Sequence, residues 1–485
     1  MNFIFFSYKI NGYRGDPYQR CPLLISERNP GFLFLRFEEV DFVKENKMGT
    51  MEMKKLIITM AFPIMISMLV QALYNIVDSM FVSRVSEQAL AAVSLCYPVQ
   101  MVMIAVACGT GVGVNALLSR YLGQGKHQQA NRVAGHGLVL SLFNGAIFAL
   151  FGLFLAQAFL KFFTQDETIL NMGISYMKIC TIFSVGVFVQ ITYERIMQST
   201  GNTFYNMVIQ GVGALINIIL DPIFIFTFDL GVAGAAYATV CGQMVAMFLG
   251  IYITNHKIKD IHITVHDLKL KAKMLMDIYR IAIPAILMQS IMSFTTIFMN
   301  MILVHFGEVA VSCFSVYFKL QQFVFMAVSG LTNALIPIVA YNYGARNKDR
   351  IIRAIKFSII LTLGMTIFGT VVFQFMPSTL LGLFDASQKM LEIGIPALKI
   401  ISISFVAMGI SMVLCCVFQA LDHGAMSLVI TILRQMVILM PLFYLFSQYY
   451  GLEMAWWAFV ITEYACLMLA MYDLHHVKKT TINAL

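Results

Sequence analysis

Long apolar runs separated by short polar segments fill the chain from about residue 56 to its end. A helix needs about 20 mostly apolar residues to cross the hydrocarbon core of a membrane. The pattern therefore predicts an all-α polytopic membrane protein with twelve transmembrane helices. The predicted spans, numbered 1 to 12, cover approximately residues 56–83, 89–114, 135–160, 172–197, 203–227, 231–254, 279–304, 309–335, 351–375, 393–417, 425–447 and 452–473.

The two halves of this pattern repeat each other at a spacing of 221 residues. Pro63 aligns with Pro284 and Gly123 with Gly344, and no gap is needed up to Gln198. Because six spans is an even number, both halves enter the membrane in the same orientation. We expect two six-helix lobes related by a pseudo-two-fold axis along the membrane normal. Duplicated bundles around a central cavity are typical of secondary transporters.

Charge is scarce and unevenly placed. Charged residues make up 12% of the chain, against about 25% in soluble domains. The net charge of +8 comes from Lys and Arg gathered around residues 115–134, 255–280 and 336–356. Short basic loops remain on the cytoplasmic side of a membrane. This distribution predicts cytoplasmic termini and a location in the inner (cytoplasmic) membrane, and it argues against a nucleic-acid partner.

The same pattern divides the chain into four parts. Residues 1–50 are polar and aromatic, lie outside the repeat and lack the arrangement of a signal peptide. We expect them to be a disordered or mis-started extension. Residues 51–254 form the predicted N-terminal lobe and residues 255–280 a cytoplasmic linker. Residues 281–485 form the predicted C-terminal lobe.

Three polar side chains in the N-terminal lobe share one predicted depth. By a rise of 1.5 Å per residue, Asp78 lies roughly 8 Å, Asp221 roughly 9 Å and Thr239 roughly 12 Å from the outer end of its span. Asn217 lies one turn before Asp221. Gln71, Tyr74 and Asp78 share a helix face, because residues three and four apart are neighbours on a helix.

A carboxylate inside a membrane is costly and usually functional. Two acids with amide, phenol and hydroxyl neighbours are suited to Na⁺, or to protons, because burial disfavours two negative charges together. The alternative is a set of hydrogen bonds that only holds the lobe together, and for Thr239 the two interpretations are evenly balanced. Pro222 frees backbone carbonyls beside Asp221.

The C-terminal lobe has different buried charges. The 221-residue shift places Met299 opposite Asp78, whereas Lys319, Arg434 and Glu463 lie within its spans. We expect an ion pair between Arg434 and Glu463, because neither charge is tolerated alone in a membrane. A second proton site or a substrate carboxylate at Glu463 is the alternative. A separate pair, Glu194 with Arg195, is expected to steady the end of span 4.

Other features suggest few further sites. Met68, Met288 and Met292 are candidates for an adaptable substrate pocket. The isolated His136, His305 and His423 do not suggest a metal site, and the nine scattered cysteines suggest reduced thiols. The glycine-rich run 109–113 lacks the context of a nucleotide loop and favours close helix packing. Neither an enzyme signature nor a cofactor motif is recognisable, and the sole ion expected is H⁺ or Na⁺.

Several motifs together resemble the multidrug and toxic compound extrusion (MATE) family, most closely its DinF- and MepA-like bacterial branch. The similarity covers about residues 51–475. The motifs are Ala61-Phe62-Pro63, Asn217-Ile218-Ile219-Leu220-Asp221-Pro222, Gly231-Val232-Ala233-Gly234-Ala235-Ala236, Gln198-Ser199-Thr200-Gly201-Asn202 and Ile336-Pro337-Ile338-Val339-Ala340-Tyr341-Asn342-Tyr343-Gly344.

The resemblance implies a V-shaped pair of lobes that exports organic cations in exchange for H⁺ or Na⁺. The family's N-lobe cation site matches Asp78 and Asp221, with ligands at Tyr74, Asn217 and Thr239. Gln71 matches a lining position. Other branches place acids in spans 7 and 10, where this chain has none within the predicted ranges. The expected partners are membrane lipid and amphipathic organic cations, and the expected state is a monomer.

Two other functions remain open from the sequence. A lipid-linked saccharide flippase of the same superfamily would need a cationic cavity, with at least three basic residues facing it. A membrane-embedded transferase would need a metal-binding acid pair or a nucleophile with its base.

Overall fold

The computed structural model describes residues 46–384 and 387–485, apart from the side chain of Ser293. The predicted extension lies outside these residues except for its last five. Within the described ranges the chain is helical without strands. Ten helices there are individually long and apolar enough to cross a membrane, and two bent pairs raise the number to twelve.

The first half consists of six spans and one short helix, Ala156–Phe163, between spans 3 and 4. Span 4 is a bent pair with an angle of 44°. Spans 1 to 6 run over Met53–Ser83, Glu87–Gly123, His127–Phe154, Glu167–Ile182 with Val185–Ser199, Thr203–Thr227 and Gly231–Lys257.

The second half repeats this plan, including a short helix, Pro377–Gly382, between spans 9 and 10. Span 10 is bent by 47°. Spans 7 to 12 run over Ala272–Phe306, Glu308–Gly344, Lys348–Phe375, Gln388–Ser402 with Phe405–Ala420, Gly424–Tyr450 and Leu452–Ile482. The predicted duplication of six spans is confirmed.

Several spans are longer than predicted. Most of residues 115–134 and 336–356 were expected to be loops, but span 2 continues to Gly123 and span 8 to Gly344. Tight turns follow, with left-handed backbone at Gly125 (φ 70°) and Arg346 (φ 55°). The apolar pattern marks only the part of a helix that needs an apolar environment. The backbone hydrogen bonds continue beyond it into polar sequence.

The two halves meet along a seam built by glycines. A Cβ atom added at Gly123 would collide with the backbone carbonyl of Tyr341, and one at Gly344 with that of Arg120. Because the two glycines are 221 residues apart, the crossing of spans 2 and 8 is itself two-fold symmetric. Small residues let membrane helices approach closely. The glycine-rich run 109–113 belongs to the same seam, since Gly109 faces the backbone of Ile286, which confirms the packing role predicted for it.

We call the end of the bundle that carries the turns at 124–126 and 345–347 and the segment 258–271 the basic face. There Asp422 of the second half lies 3.7 Å from Arg120 of the first half and 3.6 Å from Arg280 of its own half. Span 1 is fully buried near this face at Leu56 and Ile57. The core cluster around Leu56 and Ile57 includes residues of the second half. Farther along, the cluster that contains Val82 consists of first-half residues and the one that contains Met299 of second-half residues. The halves therefore close together at the basic face and separate toward the opposite end.

Each half also holds the segment that leads into the other half. Arg350 of span 9 donates from Nη2 to the carbonyls of Met48 (2.9 Å) and Met51 (2.8 Å), just before span 1. His136 of span 3 accepts at Nε2 from the backbone N–H of Lys271 (2.8 Å), just before span 7. His136, which did not suggest a metal site in the sequence, thus has a structural role.

The expectation that residues 1–50 lack structure is wrong for residues 46–50. Lys47–Thr50 form a helical turn in which Met48 is fully buried. Contacts with residues far away in the chain hold this turn in place. Asn46 donates from Nδ2 to Asp260 (3.1 Å), while Arg350 and Asn342 bind the carbonyl of Met48.

Candidate functional site

A cavity of about 450 Å³ lies between the two halves. Its size is that of a drug-sized ligand site. Spans of both halves contribute to its wall, which mixes apolar and polar side chains. The four residues predicted for a substrate pocket, Gln71, Met68, Met288 and Met292, line it. Three residues predicted for the cation site, Tyr74, Asn217 and Thr239, line it as well.

Asp221 lies behind this wall in a hydrogen-bonded cluster. Its side chain is fully buried, at 0% exposure. In the amide orientation that satisfies both ends of Asn217, Nδ2 donates to Asp221 Oδ2 at 3.3 Å. Its Oδ1 then accepts from the Thr239 backbone N–H at 3.2 Å and from the Thr239 hydroxyl at 3.3 Å. Asn217 thus connects the carboxyl group of span 5 to span 6.

Asp78 joins the same region from span 1, which packs against span 5. The carboxyl groups of Asp78 and Asp221 lie near each other and near the Tyr74 phenol. Asp78 Oδ1 is buried, and no hydrogen-bond partner for it exists in the described part of the chain. The structure therefore brings together the acids that the sequence placed at one depth. Neither acid lines the cavity, and Tyr74, Asn217 and Thr239 lie between.

The backbone beside Asp221 is irregular. Directly after Pro222, span 5 continues as a π-helical stretch, Ile223–Thr227. The Phe228 N–H reaches back to the Ile223 carbonyl at 2.9 Å. A π-helical turn inside a membrane span often marks a functional site. Acids with amide, hydroxyl and phenol oxygens next to a loosened turn are suited to holding a proton or a hard cation.

Glu194 lies on the cavity wall, and the pair with Arg195 that was expected at the end of span 4 is absent from the described structure. Instead Glu194 accepts hydrogen bonds from Gln190 (3.0 Å) and Gln210 (2.9 Å) on the cavity wall. The sequence holds a signal for this face, because Gln190, Glu194 and Gln198 recur every four residues along one helix.

Arg195 has neutral partners and joins the halves. Its Nη1 donates to Gln198 of its own span and to Asn333 of span 8, both at 3.0 Å. A Cβ atom added at Gly111 would collide with the Arg195 side chain. Glu194 and Arg195 therefore have different partners, because successive residues on a helix point in different directions. Glu194 faces Gln210 of span 5, and Arg195 reaches across the seam.

In the C-terminal half, the expected ion pair is present. Arg434 Nη1 lies 3.8 Å from Glu463 Oε2, and each side chain is 12% exposed. Arg434 also lines the cavity, whereas Glu463 does not. Lys319 does not line the cavity. It is exposed, and its Nζ lies 5.9 Å from the ring centroid of Phe384.

Spans 7 and 10 begin earlier than predicted, so the expectation that they contain no acidic residue changes. Spans 7 and 10 as observed include Asp277 and Glu392. Both lie near span ends, and neither lines the cavity. In the described ranges, groups of three or more residues able to hold a metal ion are not found. The acids of the cavity region are thus concentrated in the first half, apart from the paired Glu463.

Two six-span halves that enclose a polar cavity and close together at one end define a membrane transporter of the duplicated kind. The sequence pattern of the MatE family matches residues 63–223 and again residues 284–445. The chain belongs to this family, the MATE transporters, and to its MepA-like branch. It is a multi-pass membrane transporter and not an enzyme.

The comparisons with known proteins agree on this point. The chain is 28% identical over 415 residues to the multidrug export protein MepA of Staphylococcus aureus strain MRSA252, covering 85% of this chain and 91% of the relative. It is 27% identical over 421 residues to MepA of Staphylococcus haemolyticus strain JCSC1435, covering 86% and 92%.

Solved structures match along most of the chain. A crystal structure of MATE in the bent conformation superposes with a TM-score of 0.85 at 28% identity, covering 90% of this chain and 99% of that one. An outward-facing multidrug resistance MATE transporter gives 0.84 at 27% identity, with coverage of 90% and 99%.

Proposed function

We propose that this chain is a secondary antiporter that exports amphipathic organic cations in exchange for H⁺ or Na⁺. The observation that carries the proposal is the acid cluster of Asp78 and Asp221 directly behind the cavity wall. Tyr74, Asn217 and Thr239 belong to both the cluster and the wall. Occupancy of the acids by an ion is thereby coupled to the shape of the cavity. The name of the relatives, multidrug export protein, supports the drug-export part.

The cation of the substrate has a suitable partner in Glu194. Its carboxylate is buried to 3% exposure and lies on the cavity wall with Gln190 and Gln210. In addition, Asn206 Oδ1 on this wall is buried without a partner among the described residues. Oxygen atoms without donors attract a positive charge. The aromatic or apolar body of a substrate would pack on Met68, Met288 and Met292, which adapt to different shapes.

The transport cycle follows from these positions. In the form described, the halves are closed at the basic face, which we assign to the cytoplasm. A proton or Na⁺ entering from outside neutralises Asp78 and Asp221 and removes their repulsion, so that span 1 shifts and the substrate leaves. The halves then rock about the seam and expose the cavity to the cytoplasm. Exchange requires that ion and substrate favour opposite states, because only differential affinity shifts an equilibrium.

We further propose that the chain is a monomer in the cytoplasmic membrane, surrounded by lipid and with both termini inside. Saccharide flipping is less well supported. Among the described residues that line the cavity, only Arg195 and Arg434 are basic. Arg195 donates to two neutral amides and Arg434 faces Glu463. That is fewer than the three basic residues expected of a pyrophosphate site.

The test is transport in liposomes. Purified protein is reconstituted, a pH gradient or a Na⁺ gradient is imposed separately, and a fluorescent organic cation is followed. We expect one of the two gradients to drive the cation. The neutral variants Asp78→Asn and Asp221→Asn should lower the driven transport by at least about fivefold, the lower range of a typical coupling free energy.

Asp229→Asn is the matched control. Asp229 is an exposed acid eight residues after Asp221, and its left-handed backbone (φ 53°) also suits Asn. This variant should transport like the original chain. Undiminished gradient-driven transport in both Asp78→Asn and Asp221→Asn would show that the acid cluster does not couple ion to substrate.

A further inference from the structure

The segment that connects span 6 to span 7 exposes apolar side chains at the basic face. Val265 is 83% exposed and Leu270 is 51% exposed, and Met276, near the start of span 7, is 72% exposed. Apolar surface left in water carries a free-energy cost. These side chains lie outside the cavity and outside the acid cluster, so the proposed export function does not account for them.

Lysines alternate with these apolar side chains. Lys269, Lys271 and Lys273 are all exposed, and none of them forms an ion pair in the described part of the chain. Asp267, the acid closest to them in the segment, is buried. Its Oδ2 accepts from the backbone N–H and the hydroxyl of Thr264, at 3.0 and 2.7 Å. The three positive charges therefore remain available to a negatively charged partner.

The segment is held in place by span 3. The Lys271 backbone N–H donates to His136 Nε2 at 2.8 Å, and the His262 backbone N–H donates to Asn131 Oδ1 at 3.1 Å. Because these bonds fix the backbone at two points, the lysines and the apolar side chains are presented together on a defined framework.

This surface continues into the lipid-facing side of span 7. Exposed apolar side chains recur along that span at intervals of four and seven residues, at Met276, Ile283, Leu287, Phe294 and Met301. Such intervals place side chains on one face of a helix. Lys273 lies three residues before Met276 and shares this face. The lysines are therefore located where the lipid-facing side of span 7 reaches the basic face.

Membrane orientation alone does not explain this surface. Basic loops set orientation by their charge and need no exposed apolar neighbours. The 221-residue shift places no basic residue opposite the three lysines, but Met48, Thr50 and Glu52. Met48 is fully buried in that half. The duplicated fold therefore requires neither lysines nor exposed apolar side chains at this position.

We propose that this surface binds anionic phospholipids in the membrane leaflet at the basic face. The linker surface, as we call it, consists of Val265, Lys269, Leu270, Lys271, Lys273 and Met276. The lysines bind the phosphate groups, and the apolar side chains enter the boundary between headgroups and acyl chains, as in other interfacial segments. Basic clusters beside a membrane span bind anionic lipids. This lipid contact is independent of the exported substrate and of the coupling ion.

The experiment places a fluorescent reporter on the linker surface. The Leu270→Trp transporter is reconstituted in phosphatidylcholine liposomes that contain a small fraction of brominated phosphatidylglycerol or of brominated phosphatidylcholine. Bromine quenches tryptophan fluorescence at short range, and the original chain, with its two tryptophans, gives the background. The anionic lipid should be enriched at the reporter at least about fivefold over the neutral lipid, the value of one lysine near an anionic surface. High salt should reduce the enrichment.

The variant Lys269→Gln/Lys271→Gln/Lys273→Gln, made in the reporter chain, removes the three charges and keeps the apolar side chains. It also keeps the backbone N–H that binds span 3. Both brominated lipids should then quench the reporter alike. Native mass spectrometry of the chain without the reporter counts bound phosphatidylglycerol independently, and the same three substitutions should lower that count.

The matched control Lys126→Gln/Lys257→Gln/Lys259→Gln removes three exposed lysines from the same end of the bundle and should keep the preference for anionic lipid. An equal loss of preference in this control would show a general effect of charge and overturn the site. Equal quenching by the two lipids in the reporter chain would also overturn it. Quenching by neither lipid would place the linker surface away from the membrane, overturn the proposal and favour an acidic protein partner. Failure of gradient-driven transport would refute the export function alone, because quenching needs no transport.

Discussion

The two halves of this transporter share a backbone plan but differ in their buried chemistry. Spans 2 and 8 both contain 37 residues, spans 3 and 9 both contain 28, and the bends of spans 4 and 10 are 44° and 47°. Behind the cavity, however, the first half holds Asp78 and Asp221 with neutral partners. The second half holds Arg434 with Glu463.

This contrast separates the residues that the duplicated fold needs in both halves from those that it needs in one half. Gly123 and Gly344 serve the same crossing of backbones, and no larger residue fits at either position. Buried acids satisfy no such packing need and carry a free-energy cost. They can therefore be present in one half and replaced in the other, as Met299 replaces Asp78. The two halves therefore share their close-packed glycines, whereas the unpaired buried acids occur in the first half.

The largest effect on stability is expected in the second half. Glu463→Gln removes the only acidic partner of Arg434 in the described structure. The loss of one member of a buried ion pair costs about 3–5 kcal/mol, because the other charge remains buried without compensation. We expect a clearly lower midpoint of thermal unfolding for the purified protein in detergent.

Asp221→Asn provides the contrast from the first half. Asp221 has neutral hydrogen-bond partners and a repulsive neighbour in Asp78, so its neutralisation should leave the unfolding midpoint unchanged or raise it. Similar destabilisation by Glu463→Gln and Asp221→Asn would remove the distinction between a structural ion pair and an ion-binding acid cluster.

Equivalent substitutions of the two seam glycines should have similar effects on stability. Gly123→Ala and Gly344→Ala each place a methyl group against a backbone carbonyl that cannot rotate away. Each should cost up to about 3 kcal/mol, the range of overpacked sites, and should favour separation of the halves at the basic face. Thermal unfolding and labelling of a cysteine introduced at the seam would measure the two effects.

Gly364→Ala is the matched control for the seam variants. Gly364 is a helical glycine with open space where its Cβ would lie. This replacement should be neutral or slightly stabilising, because alanine favours a helix more than glycine does. A large difference between Gly123→Ala and Gly344→Ala would contradict a two-fold symmetric seam.

A smaller effect is expected where span 9 holds the start of span 1. Arg350→Gln removes two hydrogen bonds to the carbonyls of Met48 and Met51. We expect a loss of about 1.5 kcal/mol, the lower value for bonds made by a charged donor, and faster proteolysis near residue 48. Arg353→Gln, one turn away and exposed, should behave like the original chain. Equal protection of residue 48 in Arg350→Gln would show that this segment is held by packing alone.

The smallest effect is expected at Asp422. Its distances to Arg120 and Arg280 are 3.7 and 3.6 Å, and all three side chains are partly exposed. Exposed ion pairs contribute about 0.2–1 kcal/mol and are screened by salt. Asp422→Asn should therefore lower the unfolding midpoint slightly at low salt and not at high salt. A loss that persists at high salt would mean that Asp422 acts through packing instead.

Much of the candidate site follows from the amino-acid sequence. The depth of Asp78 and Asp221 comes from counting residues, since every residue of a helix advances by the same 1.5 Å. The positions of Tyr74 and Asn217 come from the helix period. The partners of Glu194 and Arg195 could not be predicted in this way. Adjacent residues on one helix face different neighbours, and here those neighbours are Gln210 on the next span and Asn333 in the other half.

The twelve spans, the duplication and the acids of the first half can be predicted from the amino-acid sequence alone. Each follows from a local requirement, because hydrocarbon admits only long apolar helices and makes every ionisable residue conspicuous. The sequence pattern does not reveal how far the helices extend, how glycines 123 and 344 interlock or which side chains face the cavity. These depend on contacts between residues far apart in the chain, and the packing of the two halves sets them.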